Sequence, residues 1–120
     1  MQVVAFDAED AEPIARFESS AASSVVLGNG RGDAHVYCIH IAPKGQIGRH
    51  PAGFGQLFLV VQGSGWAAGA DEIKVPLRTG QGAFFERGEM HSKGSDEGMV
   101  ALMIQVTELR PTSAQPVPAE

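Results

Sequence analysis

Two glycine-punctuated blocks carry the residues of this chain best suited to chemistry. The first reads Gly45-Gln46-Ile47-Gly48-Arg49-His50-Pro51-Ala52-Gly53-Phe54-Gly55-Gln56 and runs into the apolar stretch Leu57 to Val61 before Gly63. The second reads Gly80-Gln81-Gly82-Ala83-Phe84-Phe85-Glu86-Arg87-Gly88-Glu89-Met90-His91. Each sets a polar, metal-capable side chain beside a strand-like apolar run, with glycines where the chain must turn. Folded as strands, the blocks can bring His50, Gln56 and His91 together inside a β-barrel. Imidazole nitrogens with an oxygen donor are a setting for a divalent metal. The same three side chains can instead hydrogen-bond as a polar network without an ion.

The elements that must position them are short and β-like. Met1 to Phe6, His35 to Ile41, Gln56 to Gln62, Ile73 to Leu77, Ala83 to Glu86 and Met99 to Thr107 read as strands, rich in β-branched and aromatic residues. Gln56 to Gln62 is the strongest, apolar on both faces except at its ends. Gly63-Ser64-Gly65 predicts a turn that ends it and leads into Trp66, and Gly69 to Glu72 predicts a hairpin turn. Gly28 to Asp33 predicts a flexible turn, and Ala8 to Phe17 a short helical turn limited by Pro13. Strands at turn-separated intervals predict an all-β sandwich or barrel, with Phe84 and Phe85 on opposite faces. One domain is expected: residues 1–28 as a strand and loop packing on the barrel, 29–109 as its core, and 110–120 as a Pro-rich, loosely held tail.

Composition narrows the function. The chain has 120 residues, 43% hydrophobic and 19% charged, with a net charge of −5. Scattered basic residues and an acidic balance argue against a nucleic-acid partner. The apolar runs are too short to span a bilayer, which argues against membrane insertion. A start without a basic, then apolar, leader predicts a cytoplasmic protein. Cys38 is the single cysteine, so no internal disulfide forms, and its place mid-strand predicts a packed thiol. Arg31-Gly32-Asp33 is read as part of a turn rather than an adhesion signal.

The two blocks resemble the paired motifs of the cupin family, small jelly-roll β-barrels. His50 stands at the first histidine of the first motif, Gln56 at its glutamate and Gly63 at its closing glycine; Gly80, Gly88 and His91 match the second motif. Several positions depart. Ala52 replaces the second histidine, Gln56 the glutamate, and Glu86 the usual proline; Ser95 stands where an asparagine often follows. Lys44 holds the opening glycine position, with Gly45 one residue later. The resemblance implies a cupin-type jelly-roll barrel whose metal set is reduced to His50, Gln56 and His91. A divalent transition metal (Fe, Mn, Ni or Zn) is the implied cofactor, with Glu86 or Glu89 as candidates for the lost charge.

A small organic molecule is the expected ligand, since barrel mouths are common binding sites. Tyr37, Phe54, Phe58, Phe85 and Met103 are the candidate wall, and core packing explains each of them equally well. Two readings stay open. One is an enzyme in which a metal assists oxygenase, isomerase or lyase chemistry; the other is a non-catalytic binding or sensing module without tightly held metal. No catalytic residue is assigned. Small cupins commonly pair, and the two apolar faces of Leu57 to Val61 leave one needing cover, so a homodimer is expected.

Overall fold

A computed structural model describes residues 1–112. Ten strands follow in chain order: β1 (Gln2–Ala5), β2 (Glu12–Pro13), β3 (Ser23–Ser24), β4 (Gly28–Ile41), β5 (Gly45–Pro51), β6 (Gly55–Ala68), β7 (Lys74–Arg78), β8 (Gln81–Phe85), β9 (Met90–Ser95) and β10 (Met99–Pro111). A single 3-10 turn, Ala8–Asp10, is the helical content of the described residues. None of it is long and apolar enough to cross a membrane.

Eight of these strands form two antiparallel leaves in a jelly-roll arrangement, and β2 and β3 pair with each other apart from them. One leaf runs β1-β8-β6-β10-β4. The other runs β7-β6-β9-β5. Strand β6 belongs to both. Its first half pairs with β8 and β10, and from Ser64 onward it pairs with β7. Where Gly63-Ser64-Gly65 predicts a turn, the strand instead runs on, changing partners at Gly63, where φ is +81° and a Cβ would collide with the Gly98 carbonyl. The leaves do not close into a ring, because β4 pairs only with β10 and β5 only with β9.

The double apolar character of β6 has a simple consequence: each face owns a core. Phe58 and Val60 meet Phe85, Ala83, Met103 and Leu77 between the leaves. Leu57 and Leu59 point the other way and pack with Val4 and Phe84, beneath Phe6, Leu27 and Ile104. Phe84 and Phe85 therefore separate as alternation requires. Full burial of a side chain such as Phe58 is worth about 2–3 kcal/mol.

Four further expectations are corrected. Gly28 to Asp33 is the first half of a 14-residue strand, not a turn. Its glycines let β4 lie close on β10: a Cβ at Gly28 would stand 2.7 Å from the Arg110 carbonyl oxygen, and one at Gly30 2.7 Å from Val106 Cγ1. Arg31-Gly32-Asp33 is thereby strand as well, anchored by the Asp33 N–H donating to Thr107 Oγ1 at 3.0 Å. Arg110 and Pro111 extend β10 opposite Asn29 and Gly28 rather than opening a loose tail; the rest of that tail, 113–120, lies outside the described residues. Cys38 is exposed, on the outer phase of β4, with its sulfur 3.7 Å from His40 Nε2.

Candidate functional site

Four polar side chains meet at the inner surface of the leaves. Gln56 comes from β6, His50 from β5, and His91 and Lys93 from β9. Gln56, His91 and Lys93 are buried, while His50 is exposed at its strand's edge. His50 and His91 are register partners, with ring centroids 4.5 Å apart. His50 Nδ1 lies 2.7 Å from the Gly48 carbonyl oxygen. A carbonyl only accepts, so Nδ1 carries a proton and donates it. The Phe85 ring packs 4.4 Å from His91.

Lys93 occupies the middle of this cluster. Its ammonium donates to Gln56 Oε1. Nζ also lies 5.0 Å from the Phe58 ring centroid, 5.3 Å from that of Phe85 and 3.9 Å from Met103 Sδ. Three of the five wall residues read from the sequence thus enclose a cation. The other two lie at a rim. Tyr37, the register partner of Met103, is 41% exposed. Phe54 stacks on His35 at 5.5 Å, with the Arg87 guanidinium 5.9 Å from its centroid.

The electrostatics follow from burial. Lys93 is 1% exposed, and among the described residues no ion pair includes it. Desolvation pulls its pKa from 10.5 down to about 7. His91 is lowered to about 3, first by desolvation, then by the charges of Lys93 and His50. Its ring is therefore neutral near pH 7, with one nitrogen donating and one accepting. Neither buried nitrogen has a hydrogen-bond partner. A buried polar atom left unpaired costs about 1–3 kcal/mol, so this ring is set to receive a polar group.

The residues present do not fit a divalent metal. Two imidazoles suit one, but the third implied donor, Gln56 Oε1, already accepts from an ammonium. Ala52 lies buried in the inner apolar cluster. Glu86 is exposed, and Glu89 pairs with the Met1 amine and accepts the Glu86 N–H at 3.0 Å. No group of three or more His, Cys, Asp or Glu side chains is placed to hold a metal among the described residues. A divalent ion here would meet only neutral donors and a competing cation, whereas such ions favour at least one anionic ligand.

Reading the sequence by its motifs passes over Lys93. It follows His91 by two residues, which sets both on one face only once Met90–Ser95 is paired as a strand. Lys93 and Ala67 are register partners on the inner side.

Against solved structures the chain has the cupin fold. It superposes on a cupin-like protein from Thermotoga maritima with a TM-score of 0.60 and 16% identity, covering 81% of this chain and 87% of that one. A cupin superfamily protein from Desulfitobacterium hafniense gives 0.59 and 15%, covering 75% and 84%. A protein described as a predicted oxalate decarboxylase, also from Thermotoga maritima, gives 0.56 and 20%, covering 60% of this chain and 64% of that one, so under two thirds of that relative's length is spanned. No protein-family model and no curated protein matches the chain.

Proposed function

We propose that this protein is a binding cup for a small organic carboxylate, held without a metal between Lys93 and His91. One observation carries the reading: Lys93 is a buried cation with no anion beside it among the described residues. Burying a charge unpaired is costly, and a carboxylate entering from the rim would relieve that cost. It would accept hydrogen bonds from the ammonium and from the N–H of neutral His91, both short of acceptors. Tyr37, Phe54 and His35 offer a flat apolar rim for the rest of the molecule. Of the two readings open in the sequence, this favours the binding module, with the cation of the site built into the chain.

Thermal melts with acetate, lactate and pyruvate test it. A ligand at a hundredfold excess over its Kd stabilises by about 2.7 kcal/mol, so a clear rise in Tm is expected. Lys93→Met should remove the rise. Gln56→Glu should do the same while keeping the fold, because it supplies the missing anion from within. A wild-type protein indifferent to all three acids, but stabilised by a stoichiometric divalent metal, would overturn the reading.

A further inference from the structure

We infer that Cys38 and His40 form half of a zinc site, completed by the same two residues of a second copy of the chain. The pair lies on the outer phase of β4, away from the cup, so this site is independent of the carboxylate reading. Residues two apart on a strand project to one side, and here Cys38 Sγ stands 3.7 Å from His40 Nε2. A tetrahedral zinc with a Zn–S bond of about 2.3 Å and a Zn–N bond of about 2.0–2.1 Å separates those two donors by about 3.6 Å. The two side chains therefore already hold one edge of the coordination tetrahedron.

The surroundings point to a second copy for the other edge. Among the described residues no third His, Cys, Asp or Glu joins the pair, and a structural zinc takes four ligands. Both side chains are exposed, and β4 is the edge of its leaf, so a metal and a partner can reach them. Their β10 partners are the apolar Leu102 and Val100. Leu102 is 38% exposed and the nearby Val36 68%, an uncharged surface that a partner copy would cover. A two-fold axis beside the pair makes the contact isologous, with one sulfur and one nitrogen from each copy. The charges close as well. Each thiol releases its proton to solvent, the two thiolates cancel the two charges of the metal, and the imidazoles stay neutral. The resulting centre can be covered by apolar side chains without leaving an unpaired charge. Sulfur and imidazole together favour zinc over magnesium or calcium.

The test is a metal titration of the full chain, stripped of metal and kept reduced, followed by sedimentation and, with cobalt in place of zinc, by absorption. Zinc is expected to bind at one ion per two chains and to lower the concentration at which dimers form by at least about tenfold. Magnesium should do neither. Cobalt should give the bands of a tetrahedral site together with thiolate-to-cobalt charge transfer, which Cys38 must supply because it is the single cysteine. Cys38→Ser should abolish that charge transfer and His40→Ala the tightening by zinc, both with unchanged circular dichroism, whereas His50→Ala in the cup should alter neither. One zinc per chain, cobalt bound without charge transfer, or dimers indifferent to zinc would overturn the site. A dimer that forms only without reductant would overturn it too, since that is a Cys38 disulfide.

Discussion

A lysine folded into an apolar cup holds its proton poorly, and this makes stability depend on pH in a definite direction. Unfolded, Lys93 stays charged up to about pH 10.5; folded, only up to about 7. Between those values the unfolded chain binds more protons, so stability rises with pH, by at most about 1.4 kcal/mol per unit from this group. Below pH 7 both states are charged and the penalty is constant. Lys93→Met should flatten the rise and stabilise the protein at neutral pH, as read from urea midpoints between pH 6 and 10. A wild type already flat over that range would contradict the burial argument. His91 acts at the acid end. Its pKa falls from 6.5 to about 3 on folding, so stability drops as pH falls through that window, and His91→Leu should remove that share of the loss. Both histidines and Gln56 were legible because glycine spacing sets them in a recognisable frame. Lys93 was not, because Met90–Ser95 lacks the apolar alternation that announces a strand. Its neighbours Ser92, Gly94 and Ser95 look like a loop until β5 and β6 pair on either side.

At the level of the elements, strand assignment from sequence succeeds where side chains decide and fails where close backbone approach does. The first half of strand β6 was readable because both its faces are apolar and each found a core, whereas its continuation through Gly63-Ser64-Gly65 carries turn chemistry and is strand only by pairing. The Gly28 to Asp33 half of β4 was not readable either, since a glycine-rich polar run carries turn chemistry locally and becomes strand only through its pairing with β10. Gly30→Val should therefore push β4 off β10 and cost about 1–3 kcal/mol, the usual range for forced overpacking. Loss of amide exchange protection confined to these two strands would locate the effect. Gly94 makes a sharper probe. A Cβ there would run into the Trp66 ring, so Gly94→Ala should destabilise by a similar amount and shift the emission of the chain's one tryptophan. An unchanged melt and spectrum would show that β9 has room to move.

For the molecule as a whole, the outer face of the β4, β10 and β6 leaf is incompletely covered. Val36 is 68% exposed and Leu102 38%, and the register sets Leu102 opposite Cys38, next to Val36 on the outer phase of β4. The patch is uncharged on a chain of net charge −5, and we propose that it meets a second copy. Light scattering at high micromolar concentration should give twice the 12.6 kDa chain mass, and Leu102→Glu should give a monomer of unchanged circular dichroism. A monomeric wild type would remove the dimer. The placement of β6 also bears on how the protein is made. This strand carries apolar side chains on both faces, and one of its main partners, β10, is the last strand of the described chain. At about 5–20 residues per second, a ribosome needs several seconds after finishing β6 before β10 exists to receive it. Throughout that interval the nascent chain displays a strand that no other segment can fully cover, and chains halted before β10 should pellet. The yield of soluble protein would then depend on the speed of the final stretch of translation, a quantity that no property of the finished barrel reveals.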